Sequence, residues 1–163
     1  MRIIRAYQFI EDQDRGASAA IGNFDGVHLG HQSVIDMARS AAPDAPLGIV
    51  TFEPHPREFF APDTAPFRLT NAGTRAHRLE KLGVQRLYEL PFNATLSGLT
   101  PRRFAQDVLA DGLGLRHVVV GADFCFGKAR AGTARDLQGF GAETGFGVTV
   151  APLLQTDDAQ VSS

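Results

Sequence analysis

The sequence is poor in cysteine. Its single thiol, Cys125, excludes an intrachain disulfide and fits a reducing cytosol. An excess of one charge is lacking as well. Sixteen Lys and Arg face eighteen Asp and Glu, for a net charge of −2 and an isoelectric point near 6.2. That balance argues against a nucleic-acid partner or an anionic membrane surface. Arg102-Arg103 and Lys128/Arg130 are the only tight basic groups. No run of 18 apolar residues exists, so no spanning helix is expected. The stretch Met1–Tyr7 lacks the apolar core and small-residue cleavage site of a secretion signal, and the expected location is the cytoplasm. No internal repeat or low-complexity segment is visible. At 163 residues the chain suits one domain spanning 1–163.

What is present is an alternation of short apolar runs and helical patterns. Five strands are expected: Ala17–Ile21, Leu47–Phe52, Leu87–Leu90, Val118–Val120 and Val148–Val150, with Arg2–Ile4 as a candidate edge strand. The unbroken valines at 118–120 suit a strand covered on both faces. Helical patterns run from Gln32 to Ala42, from Thr70 or Asn71 to Leu82, and from Pro101 behind the cap Thr100 to Asp111-Gly112. A less regular one runs from Thr133 to Glu143, where Gly139 and Gly141 each cost about 1 kcal/mol against alanine. The expected fold is α/β: a mainly parallel five-stranded sheet with helices on both faces. Glu53 to Leu69 and Gly121 to Gly132 read as long loops at the carboxyl ends of strands, the edge where such sheets bind ligands.

Residues 21–31 read I-G-N-F-D-G-V-H-L-G-H, between the first central strand and a helix. A Gly-rich turn there is the layout of a phosphate site. The first N–H groups of the helix lack intrahelical partners, and its dipole favours an anion. Gly22, Gly26 and Gly30 let the backbone approach a ligand. His28 and His31 flank Gly30, so both imidazoles are expected at the same phosphates. Taken alone, the segment also fits a structural turn with two surface histidines. No further Cys, His or Asp cluster completes a zinc site around them.

Two other segments carry chemistry. In Glu53-Pro54-His55-Pro56 the prolines fix φ and forbid helix, giving a rigid extended loop. Phe59 and Phe60 follow, and rigid prolines with aromatic rings make a wall suited to a flavin ring. An ordinary loop that packs its phenylalanines on the core fits equally well. The segment Gly121 to Gly132 holds Asp123, Phe124, Cys125, Phe126, Lys128 and Arg130. Two aromatics and two cations suit a loop touching both a ring and a phosphate. Asp123, at a strand's carboxyl end, reads as functional, and Cys125 as a small buried apolar residue.

The run G-N-F-D-G-V-H-x-G-H resembles the nucleotidyltransferase motif of the bacterial FAD synthetases, the adenylyltransferase half of bifunctional riboflavin kinase/FMN adenylyltransferases. T-F-E-P-H-P-x-x-F, at 51–59, is similar to that family's second signature, and Gly121–Gly132 resembles its G-x-D-F-x-F-G-x-x-R-x-G motif. Cys125 departs from the arginine often found there. The resemblance covers the whole chain and implies a Rossmann-like nucleotidyltransferase fold. It implies adenylyl transfer from ATP to FMN, giving FAD and pyrophosphate, with Mg2+ accompanying ATP. It also implies that His28, His31 and Asn23 are catalytic. ATP would meet Gly22, Asn23, Phe24, Gly26, His28, Gly30, His31, Arg130, Ser162 and Ser163. The flavin would meet Pro54, His55, Pro56, Phe59, Phe60, Asp123 and Phe126. The family's S-S-T-x-x-R motif stops here after Ser163, and its C-terminal riboflavin kinase domain is absent. The expectation is an adenylyltransferase domain cut within its last motif, poor in ATP-dependent steps and improved by extension through the arginine. A related transferase with another acceptor, or a non-catalytic flavin- or nucleotide-binding module, also fits the residues.

Overall fold

The computed structural model describes residues 1–22, 24, 29–53, 72–152, 154–156 and 159–161. In chain order these form β1 (Arg2–Ile4), β2 (Ser18–Ile21), α1 (Leu29–Ala41), β3 (Leu47–Glu53), α2 (Ala72–Lys81), β4 (Arg86–Pro91) and the short α3 (Ala94–Ser97). Next comes α4 (Pro101–Arg103), which continues as a π-helical stretch over Phe104–Ala110. Then follow β5 (His117–Gly121), β6 (Cys125–Phe126), β7 (Gly132–Thr133), α5 (Ala134–Thr144), β8 (Gly147–Ala151), β9 (Leu154–Thr156) and β10 (Ala159–Val161).

The main sheet has six strands in the order β1-β4-β3-β2-β5-β8, and every pairing in it is parallel. The sheet is one strand wider than the five expected. Arg2–Ile4 joins at the edge, in register with Arg86–Tyr88. Central strand β2 opens with three small residues, Ser18, Ala19 and Ala20, and all four of its residues are buried. That lets α1 pack closely, and the Ser18 hydroxyl donates to the Ala38 carbonyl across 2.6 Å. Ile35 and Ala38 of α1 and Leu79 of α2 share one core cluster with Ile49, Leu87 and Val119. On the opposite face, Phe104, Ala105, Val108 and Leu109 pack with Leu137 of α5 against Val50, Leu90, Val118 and Val120. Helices therefore cover both faces, as the apolar periodicity requires.

The caps follow local chemistry. Thr100 accepts from the Arg103 N–H with Pro101 at the first helical position. Thr133 and Asp136 form a reciprocal capping box, the two bonds measuring 3.0 and 3.2 Å. Gly83 and Gly145 stand at φ +94° and +102° just past α2 and α5. Helix α1 starts three residues before the expected Gln32. The segment Gly121–Gly132 is not one open loop, since Cys125 and Phe126 pair antiparallel with Thr133 and Gly132.

One polar cluster pins the edge strand. The buried Asp14 carboxylate takes Arg2 through two bonds of 2.8 and 2.9 Å and stands 2.9 Å from Arg86 Nε. Tyr88 donates its hydroxyl to the Asp14 carbonyl, and burial pushes that phenol's pKa upward. The bond from Arg2 holds Asp14 below the usual carboxylate range. A depressed folded pKa gives stability that is complete above the unfolded pKa and lost as pH falls through the folded one. Asp14→Asn should therefore cost about 1–3 kcal/mol at neutral pH, and the gap should narrow in acid. Denaturant melts of both proteins at pH 7 and pH 3 check this.

Candidate functional site

A parallel sheet collects the carboxyl ends of its strands at one edge. Here Ile21, Glu53, Pro91, Gly121 and Ala151 end their strands together there. The chain runs outward from β2 through β3 to β4 on one side, and through β5 to β8 on the other. The direction therefore switches between the neighbours β2 and β5. Ligands of open α/β sheets bind in the crevice outside such a switch. The segments leaving β2 and β5 are the Gly-rich one with the histidines and the one with Asp123 and Arg130. Sequence reading singled out both, and the strands that lead into them, β2 and β5, are neighbours in the sheet.

At β2, the Gly22 N–H donates to the Val50 carbonyl across 3.0 Å, so the strand pairing persists to the glycine. Phe24 takes φ +53°, rare for a side chain of that size, and is buried with 1% exposure. Strain of this kind costs about 1–3 kcal/mol and persists only where packing holds it. The Phe24 ring belongs to the core cluster on the α1 side of the sheet. Gly30 and His31 lie in the first turn of α1. The His31 ring is 3% exposed and packs on Phe24, with ring centroids 4.9 Å apart. Asn23, Gly26 and His28 lie outside the described residues.

At β5, Phe124 donates its N–H to the Gly121 carbonyl, closing a turn that leaves Asp123 exposed. A Cβ added at Gly121 would stand 3.1 Å from Asp123 Oδ1, so this carboxylate folds back over the strand end. Phe126 is buried, its ring among Phe104, Phe124 and Phe140 with centroids 5.5–6.4 Å away. The ring of this segment that stays partly open is its stacked neighbour, Phe124. Sequence reading named Phe126 of these two rings for the flavin, and no periodicity in a two-residue strand tells them apart. Arg130 is exposed at φ +55°, directly after Ala129 at +57°. Cys125 is half-buried where a buried residue was expected, its thiol 3.6 Å from the Asp123 carbonyl.

At β3, Glu53 ends the strand. Its carboxylate accepts from Arg75 of α2 across 3.0 Å, and Arg75 also stands 3.5 Å from Glu89 of β4. Sequence reading missed Arg75 and Glu89, because charged residues on separate elements show no local pattern. Pro54, His55, Pro56, Phe59, Phe60, Ser162 and Ser163 lie outside the described residues. Among the described residues, no group of three or more His, Cys, Asp or Glu could hold a metal ion, and no helix is long and apolar enough to cross a membrane.

The fold and the placement of these segments define a Rossmann-like domain of the nucleotidyltransferase kind. A solved structure described as pantoate-beta-alanine (pantothenate synthetase) from Thermus thermophilus shares the fold, with a TM-score of 0.62 at 14% identity over 99% of this chain and 66% of that one. Another, described as a macrolide-efflux protein from Streptococcus pneumoniae, reaches a TM-score of 0.80 at 26% identity, covering 99% of this chain and 54% of that one. The family model for FAD synthetase matches residues 10–163, and the chain belongs to that family. The bifunctional riboflavin kinase/FMN adenylyltransferase of Pseudomonas fluorescens is 42% identical over all of this chain and 53% of its own length. Those of Bacillus subtilis and Escherichia coli K12 are 34% and 33% identical, again over all of this chain, and over 52% and 53% of their lengths. The chain thus spans about half the length of the curated relatives it matches.

Proposed function

We propose that this chain transfers the adenylyl group of ATP to FMN. An FMN phosphate oxygen attacks the α-phosphorus in line, the bond from that phosphorus to the β-phosphate's bridging oxygen breaks, and pyrophosphate leaves with FAD as the other product. The observation that carries the reading is His31, held in the first turn of α1 at the switch point of a sheet whose sequence matches the FAD synthetase family. The resemblance of the three signature segments supports FMN as the acceptor.

Such a transfer needs no covalent intermediate with the protein. The protein's work is positioning and charge stabilisation. His31 and His28 donate to the phosphates and stabilise charge on the transferred and leaving groups. Burial of His31 favours this, since a hydrogen bond in a low-dielectric site is stronger than one in water. Asn23, Phe24 and the backbone of Gly22, Gly26 and Gly30 cradle the triphosphate at the helix N-terminus. Arg130, with Ser162 and Ser163, adds charge and hydroxyls. Pro54, His55, Pro56, Phe59 and Phe60 line the flavin, with Asp123 and the Phe126 segment beside them. Mg2+ enters as part of the ATP substrate, since it binds phosphate oxygens with few protein ligands. The riboflavin kinase activity named for the relatives belongs to the half that this chain does not match, and the setting is the cytosol.

Incubation with ATP, FMN and Mg2+, followed by chromatography, tests the activity by the appearance of FAD. The acceptor wall has its own test. Alanine at Phe59 or at Phe60 should weaken FMN binding, since aromatic contact beyond burial contributes about 0.5–1.5 kcal/mol. ATP binding should be spared. Wild-type FMN affinity in both variants would make this segment structural.

A further inference from the structure

The turn that joins β6 to β7 is built under strain. Gly127 stands at φ +79° and ψ 178°, a conformation that glycine alone adopts readily. A Cβ there would lie 2.8 Å from the Pro101 nitrogen. Ala129 and Arg130 follow at φ +57° and +55°. A non-glycine residue at positive φ is uncommon, and two in succession persist only where their surroundings hold them. The contacts that hold these lie at the two ends of the turn. The Lys128 N–H donates to the Leu99 carbonyl across 2.7 Å. A Cβ at Gly132 would meet Phe126 at 2.8 Å and Pro101 at 2.9 Å. Inside the turn, Arg130 donates its N–H to the Gly127 carbonyl, and Ala131 donates to that of Lys128. The turn is thus clamped from both ends on Pro101, the first residue of α4.

The core does not call for that conformation. Lys128, Ala129, Arg130 and Ala131 are all exposed. What the clamp brings together is charge. Leu99, Thr100 and Pro101 lead directly into Arg102-Arg103, so the two tight basic groups of the sequence become neighbours. Arg102 and Arg103 are taken, by Glu143 and by Asp107. Among the described residues, Lys128 and Arg130 have no ion-pair partner. The turn follows β5, one of the two strands at the switch point. We infer that Ala129 is a positioning residue for Arg130: its left-handed backbone, clamped on Pro101, fixes how the guanidinium leaves the turn, ready for a phosphate group. A preset arm avoids the ordering cost that a free arginine would meet on binding. The phosphates of ATP, as the ligand, rest on the proposed function. The clamped turn does not.

Three variants test this. Ala129→Gly keeps the left-handed conformation, which glycine adopts freely. Ala129→Val forces it out, since a β-branched side chain is an outlier there. Arg130→Ala removes the cation. Binding of ATP and of inorganic pyrophosphate is read by calorimetry, and FMN binding by fluorescence quenching. Opening of the turn is read by tryptic cleavage after Lys128. R130A and A129V should each bind ATP and pyrophosphate about ten-fold more weakly, the scale of one charge-assisted hydrogen bond. A129V should also be cleaved faster, because cleavage follows the open population. A129G should stay within about two-fold of wild type in every reading, since its turn keeps the same conformation. All three should keep FMN affinity and melt within about 4 °C of wild type. Wild-type ATP affinity in A129V beside a weakened R130A overturns the inference and leaves Arg130 a phosphate ligand. Wild-type ATP affinity in R130A overturns it by removing Arg130 from the site. Loss of ATP and FMN binding in A129V together with its melting temperature overturns it as well, and marks a structural role. A wild-type chain that binds neither ATP nor pyrophosphate overturns the nucleotide reading and the ligand with it, and the cleavage rates then decide whether Ala129 sets the turn.

Discussion

His31→Ala should lower the rate of FAD formation by about 10²–10³ while leaving FMN affinity within about two-fold of wild type. The magnitude is that of removing one preorganised donor from a transition state with developing charge. The selectivity comes from placement. His31 lies in the first turn of α1, after β2, whereas the residues read as the flavin wall follow β3. The imidazole is also held, packed on a Phe24 ring that is itself buried. A donor fixed in this way needs little reorganisation when charge develops. His31→Gln should recover part of the loss, because the amide can still donate. Rates come from chromatography of FAD against time, and FMN affinity from quenching. Full turnover in the alanine variant would remove His31 from the mechanism.

Gly141→Ala should destabilise the fold strongly, near the upper end of the range of about 1–3 kcal/mol known for overpacking. A Cβ there would stand 2.6 Å from the Phe146 carbonyl oxygen and 2.9 Å from a Val148 methyl. The carbonyl is backbone and has no rotamer to retreat into. Phe146 is itself committed, since its N–H donates to the Gly141 carbonyl at 3.1 Å and its ring is buried. Gly139→Ala, two residues earlier in the same helix, should do the opposite. Nothing lies within 4 Å of its Cβ position, so the change gains helix propensity of about 0.8–1.0 kcal/mol. Urea melts of the two single variants separate them by sign. A stabilised Gly141→Ala would mean that the helix does not close on β8 as described.

That contrast shows what a sequence can carry. From propensity alone, Gly139 and Gly141 looked alike, two costs against a helix from Thr133 to Glu143. The helix forms anyway, over Ala134–Thr144, because the capping box of Thr133 and Asp136 starts it and Leu137 buries its face. One glycine is unexplained by contacts, and the other is there because β8 leaves no room. The central strands were legible because they are runs dominated by small, aliphatic and β-branched residues. Strand β1 was legible only as a candidate, since three residues carry little periodicity. The Cys125–Phe126 pairing with Gly132–Thr133 was not legible, because two-residue strands have none. Nor was the π-helical stretch, where Asp111 donates to Gln106 five residues back, in place of the usual four.

The site divides in the same way. The glycines and histidines of residues 21–31 stand in one short run, so their chemistry could be read directly. That the strand before them, β2, is the neighbour of β5, the strand before Asp123 and Arg130, is something no spacing reveals. Arg75 was invisible for a related reason. Its partners lie at the ends or in the middle of two different strands, and only the sheet register brings Glu53 and Glu89 beside one helix.

The most direct test of the account is to incubate the chain with ATP, FMN and Mg2+ and to quantify FAD and pyrophosphate together. The account predicts FAD with one pyrophosphate per FAD, and none above background from the His31→Ala chain over the same interval. FMN bound at saturation with no FAD formed would contradict it, and would make the chain a flavin-binding module instead of a transferase.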